Sequence, residues 1–166
     1  GVGLITTALK GDAADPEHVA AAAASMKRLN RQAARLLQET GVHACTDVTG
    51  FSLLGHAWEM AERSQARLRF TFDRLPFLEG ARQYAELNLF PGGACRNRDA
   101  YIGHVGFAPA LSEEMRMLLF TPETSGGLLA AISPDRLDTL LARFAAAGAP
   151  CWVVGEVVEG EGIEVQ

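Results

Sequence analysis

Residues 126–148, GGLLAAISPDRLDTLLARFAAAG, run a short apolar stretch directly into a capped amphipathic helix. "GGLLAAIS" reads as a buried strand. Ser133 then stands at a cap position, Pro134 fills the first helical position, and Leu137, Leu140, Leu141 and Phe144 repeat along one face until Gly148 stops the run. A strand feeding a helix in this way defines an α/β or α+β domain, a mixed sheet with helices packed against it.

Working outward, the same alternation recurs. Asp15 followed by Pro16 opens a helical stretch that extends to Gly41, as one long helix or as two with a break near Asn30. Its alanine block, "HVAAAAASM", reads as a close-packing face, and Leu29, Ala33, Leu36 and Leu37 lie on one side. A second helix is predicted after Gly50, with Phe51, Leu54, Trp58 and Ala61 on its apolar face. "ARLRFTF" alternates as a strand, and Leu78 to Leu87 is a short helical candidate. The Gly- and Asn-rich stretch from Asn88 to Pro109 is expected to be largely irregular, with a short strand near Tyr101 to Val105. Glu113 to Leu119 suits a short helix. The opening "GVGLITTAL" and the closing "CWVVGEVVEGEGIEVQ" both read as β-prone, placing the two ends in or beside sheet.

The chain has 166 residues, the length of one ordinary domain, with 48% hydrophobic residues to fill a core. Fifteen Lys and Arg against twenty Asp and Glu give a net charge of -5. That balance argues against a nucleic-acid partner. No apolar run approaches the roughly 20 residues of a membrane helix. Cys45, Cys95 and Cys151 are an odd number without CxxC spacing, and no leader pattern precedes them, so a reduced cytoplasmic protein is expected. The sequence opening resembles a domain cut from a longer polypeptide.

Three segments carry possible chemistry. In "GVHACTDVTGF", an extended His43 to Asp47 would put His43, Cys45 and Asp47 on one side, an incomplete soft-metal set whose plain alternative is a core Cys45 and a strand-end His43. Asp47, just before Thr49-Gly50 and a helix, can reach a hard cation such as Mg²⁺ or can cap that helix. In "TPETSGGLL", Thr124 and Ser125 offer hydroxyls, and Gly126-Gly127 allow a tight turn whose amides could cradle phosphate; a plain turn is the alternative. "FPGGACRNRD" reads as a third Gly-rich turn with Arg96, Asn97 and Arg98 facing a phosphate, a neighbouring domain or only solvent. No nucleophile with a partner base is legible, and Cys45 and Cys151 sit in apolar surroundings that disfavour the thiolate.

"HACTDVTGFSLLGHAWEMA" (43–61), "FPGGACRN" (90–97) and "TPETSGGLL" (121–129), with "GVGLITTALKG" and "VVGEV" at the ends, resemble the carboxy-terminal half of the selenophosphate synthetase family, within the aminoimidazole ribonucleotide synthetase superfamily. The resemblance covers essentially all of residues 1–166. It implies a single carboxy-terminal domain, partly ferredoxin-like, of an enzyme that makes selenophosphate from selenide, ATP and water with Mg²⁺, releasing AMP and phosphate. It also implies an amino-terminal ATP-binding domain of the same enzyme as partner, a homodimer at full length, and a fragment inactive alone. By motif, Asp47 matches the family's Mg²⁺-holding aspartate. Thr49, Gly50, Asn97, Thr124, Ser125, Gly126 and Gly127 match positions of its cofactor-binding motifs.

Two departures stand out. The family's usual DPQTSGG is "TPETSGG" here, with Thr121 and Glu123 for Asp and Gln, and its DVTGFGLLGH is "DVTGFSLLGH", where Ser52 is expected to be tolerated. The competing readings are another ATP-using member of the superfamily, of aminoimidazole ribonucleotide synthetase or thiamine-monophosphate kinase type, and a noncatalytic interaction domain. An upstream Gly-rich segment with Cys or selenocysteine and Lys would separate the first reading from these.

Overall fold

The computed structural model describes residues 1–166. In chain order the elements are α1 (Val2–Lys10), α2 (Pro16–Lys27), α3 (Arg31–Thr40), β1 (Ala44–Asp47), α4 (Ser52–Ser64), β2 (Arg67–Phe70), α5 (Ala81–Glu86), α6 (Gly92–Tyr101), β3 (Val105–Phe107), α7 (Glu113–Leu118), β4 (Leu128–Ala131), α8 (Pro134–Ala146), β5 (Gly155–Val158) and β6 (Gly162–Val165). Single 3₁₀ turns lie at Phe72–Arg74 and Ile102–His104.

The strands divide into two sheets. One is mixed and four-stranded in the order β3-β6-β2-β5, with β2 parallel to β6 and antiparallel to β5, and β3 parallel to β6. Leu68, Phe70, Ile163 and Val165 turn one face of it inward, where Leu54, Ala57 and Ala61 of α4 share the same core. The other sheet is the antiparallel pair β1–β4, in register from Ala44 opposite Ala131 to Asp47 opposite Leu128. Leu129 of β4 enters the main core, whereas Leu128 and Ala130 on its other face pack under α3 and α8 with Leu37, Leu140 and Phe144.

Most predicted elements form. The break near Asn30 is real, separating α2 from α3, and the Asp15 carboxylate accepts the Glu17 N–H at 2.8 Å as the cap requires. α8 begins at Pro134 after Ser133, although the Ser133 hydroxyl makes no capping hydrogen bond.

Several expectations fail for physical reasons. The opening segment is helix α1, not strand: Val2, Leu4, Ile5 and Ala8 are all buried, and the Glu123 carboxylate accepts the Val2 N–H at 3.1 Å. Tertiary burial and an anionic cap at its N-terminus override a weak β propensity. The "PGGACRNRDAY" stretch is helix α6, not a loop, because Ala94 and Asn97 bury one side and outweigh two glycines in its first turn. The strand that follows is Val105–Phe107 rather than 101–105. Of the alanine block only Ala22 is buried, and Leu29 is exposed in the α2–α3 link. Phe51 does not join the inward face of α4. It precedes the helix as N-cap and is half exposed.

Candidate functional site

The register of β1 against β4 builds the site. With Asp47 opposite Leu128, the segment leaving β1 and the turn entering β4 run side by side. Val48 N–H donates to the Gly127 carbonyl and Gly126 N–H to the Val48 carbonyl, both at 2.9 Å, and Glu123 N–H donates to the Thr49 carbonyl at 3.0 Å. The third segment arrives from α6. Asn97, buried, donates through Nδ2 to the Gly50 carbonyl at 2.9 Å and to the Phe120 carbonyl at 3.0 Å.

The turn at 124–127 needs its glycines. Gly127 has φ +99°, and a Cβ on Gly126 would lie 2.6 Å from the Val48 carbonyl oxygen. Ser125 also takes a left-handed backbone, φ +55°. Thr124, Ser125 and Gly126 are exposed at the rim.

Asp47 is exposed and its carboxylate forms no hydrogen bond or ion pair within the chain; only its backbone carbonyl is engaged, by Thr46 Oγ1 at 3.2 Å. The helix-cap alternative therefore fails, because α4 has Phe51 as N-cap and no side-chain cap at all. His43, Cys45 and Asp47 do share one side of the strand, all exposed, so Cys45 is not the core residue the plain reading expected. α3 and α8 cover that face over β4 and leave the β1 half open. The structure gathers no group of three or more His, Cys, Asp or Glu side chains. Burial first and the Asp47 charge second push the Cys45 thiol above its ordinary value.

The remaining sequence-assigned residues are sorted by the geometry. Thr49 and Gly50 sit beside Asp47 with Thr49 half-buried and Gly50 exposed. Gly126 N–H, one expected phosphate donor, is already bonded to the Val48 carbonyl, which leaves the Gly127 N–H and the hydroxyls of Thr124 and Ser125 for the cradle. Asn97 points inward as a tie between segments. Arg98 is engaged by Asp99 at 2.9 Å, while Arg96 is exposed and unpaired.

Sequence reasoning missed a chain of side chains behind the rim. Thr49 Oγ1 lies 2.9 Å from Nε2 of the buried His56, and His56 Nδ1 lies 3.1 Å from Glu59 Oε2. The available signal was helical spacing: His56 and Glu59 stand at i and i+3 on α4. Ser52 was read as a mild change, yet it is fully buried at φ +71°, a backbone suited to the family's glycine. Thr121 is also buried, with its hydroxyl oxygen unpartnered.

The comparison with protein families decides membership: the family described as AIR synthase related protein, C-terminal domain, matches residues 1–166. The chain belongs to this family. Among curated relatives of this AIR synthase related domain, the selenide, water dikinase of Paraburkholderia xenovorans is 44% identical over 163 residues, covering 98% of the chain and 46% of the relative. The enzyme of the same name from Caldanaerobacter subterraneus subsp. tengcongensis is 43% identical over 144 residues, covering 87% and 42%. The domain thus spans less than half the length of these relatives. A thiamine-monophosphate kinase from Stenotrophomonas maltophilia superposes with TM-score 0.62 at 18% identity, covering 99% of the chain and 47% of the kinase, a likeness of fold alone. No helix is long and apolar enough to cross a membrane.

Proposed function

We propose that the chain is the carboxy-terminal half of a selenide, water dikinase, an enzyme that makes selenophosphate from selenide, ATP and water and releases AMP and phosphate. The observation that carries this reading is identity of 43–44% to enzymes of that name across nearly the whole chain. The kinase likeness at 18% identity supports no rival substrate. In this reading the amino-terminal ATP-binding half is the partner, the full-length enzyme is a cytoplasmic homodimer, and residues 1–166 act as one domain of it.

The rim formed by 47–50 and 121–127 is the edge this domain offers to Mg²⁺–ATP. The donor set fits: Asp47 supplies an uncommitted carboxylate, a hard oxygen ligand, and Thr124 and Ser125 supply free hydroxyls. Mg²⁺ would offset phosphate charge during phosphoryl transfer. One carboxylate is too few for a complete site, so the other oxygens would come from the amino-terminal half, the phosphates and water. Within this chain, Asp47 holds negative charge at the rim, Asn97 fixes the Gly50 carbonyl, and the backbone bonds of Val48, Thr49 and Gly126 keep the two loops at a constant separation. None of these residues is a nucleophile.

The test is selenide-dependent AMP release. The isolated 166-residue chain is expected to show none, and the chain joined to its amino-terminal half is expected to turn over many times. AMP release from the full-length protein that ignores selenide, or multiple turnovers by the isolated chain, contradicts the reading.

A further inference from the structure

The side chains Thr49···His56···Glu59 form a hydrogen-bonded row whose direction is set by the proton positions on a neutral His56. Glu59 is an exposed carboxylate, and an ionised carboxylate only accepts hydrogen bonds. His56 Nδ1, 3.1 Å from it, must therefore carry a proton. In a neutral imidazole the other nitrogen is then a bare acceptor. Thr49 Oγ1, 2.9 Å from Nε2, has to donate its one proton there. Nothing else in the chain competes for this hydroxyl, and the Thr49 carbonyl is separately fixed by the Glu123 and Ser52 N–H groups.

The consequence falls on the rim. Asp47 is exposed and Thr49, two residues on, is half-buried, so part of Thr49 stays accessible at the rim near Asp47 while its hydroxyl reaches the buried His56. With its proton committed inward, Thr49 presents only lone pairs outward. Such a hydroxyl suits a donor, such as water polarised by a hard cation, and repels a phosphate oxygen, which also only accepts.

We propose that His56, oriented by Glu59, is a positioning residue that makes Thr49 an acceptor-only hydroxyl beside Asp47, so that Thr49 recognises the water shell of the divalent cation and not the phosphate. The proposal rests on the functional reading above for the identity of the cation, but the direction of the hydrogen-bond chain stands without it. It also explains why a buried histidine is paired with an exposed glutamate one helical turn away: the carboxylate selects the tautomer.

The experiment has two arms. In the first, a long-range ¹H–¹⁵N correlation spectrum of the labelled 166-residue protein at mildly alkaline pH reads the His56 tautomer. Protonated Nδ1 with bare Nε2 is expected; a proton on Nε2 overturns the proposal. In Glu59→Ala the fixed tautomer is expected to give way to averaging between the two, and an unchanged spectrum would show that Glu59 does not orient the ring. In the second arm, AMP release by the full-length enzyme is followed over a magnesium titration. Thr49→Val is expected to raise the half-saturating magnesium concentration about fivefold to tenfold, the size of one lost hydrogen bond, with Thr49→Ser restoring it. Equal behaviour of the Ser and Val variants overturns the role of the hydroxyl. A full-length enzyme without selenide-dependent AMP release would instead defeat the functional reading, and the tautomer spectrum would then decide the hydrogen-bond chain by itself.

Discussion

The side-chain amide of Asn97 holds the Gly50 carbonyl at 2.9 Å, with its second proton on the Phe120 carbonyl at 3.0 Å. One buried donor group thus joins the segment after β1 to the segment before the 121–127 turn, from a helix that touches both. Asn97→Asp should lose about 3 kcal/mol or more, because a buried carboxylate would face two carbonyl oxygens, and Asn97→Ala should lose less, about 1–3 kcal/mol. Urea denaturation of both variants checks the order. If both fold as stably as wild type, Asn97 is not a structural tie.

Ser52 sits at φ +71° with no exposed surface, and its hydroxyl receives only a long 3.4 Å bond from Gly55 N–H. Left-handed backbone costs an L-residue about 1–2 kcal/mol, against a weak bond lost and the extra chain freedom of glycine. Ser52→Gly is expected to raise stability by about 0.5 kcal/mol or more. A loss in equilibrium denaturation would show that the hydroxyl matters more than the strain.

Thr121 buries a hydroxyl oxygen that has no partner. Thr121→Val keeps the shape and removes that group, so stability should stay level or rise by up to about 1 kcal/mol. A thermal scan in which the Val variant unfolds markedly earlier would show that the hydroxyl is satisfied.

Cys45 lies on the open face of β1, yet its thiol is pushed up by desolvation and then by Asp47. The folded state holds the thiol proton more tightly than the unfolded chain does. The corresponding stability is present below the ordinary thiol value, about 8.5, and is lost as pH rises through the raised one. Alkylation of Cys45, followed by peptide mass spectrometry against pH, should have its midpoint above that ordinary value. Asp47→Asn should lower the midpoint without fully normalising it, since burial is the larger cause. Rapid alkylation of wild-type Cys45 at neutral pH would contradict this.

What was legible in the sequence follows from the range of the interactions involved. α8, α4 and the α2–α3 break could be read because caps, proline positions and apolar stripes are local. α1 and α6 could not: the first takes its cap from Glu123, far along the chain, and the second is held by burial of Ala94 and Asn97 under other segments. At the site, Asp47, Thr49 and the TSGG turn were visible as motifs. The inward role of Asn97, the occupied Gly126 N–H and the His56–Glu59 pair depend on which loops the β1–β4 register places side by side.

The central proposal is that Asp47, at the end of β1, faces the cation of Mg²⁺–ATP rather than the backbone of helix α4. Its most direct test is Asp47→Asn in the full-length enzyme, with selenide-dependent AMP release measured over a magnesium titration beside thermal unfolding. The amide has nearly the same size but lacks the charge that holds a hard divalent ion. The account predicts unchanged unfolding with turnover reduced and shifted to higher magnesium. Wild-type turnover with the same magnesium dependence in a fully folded variant would contradict it.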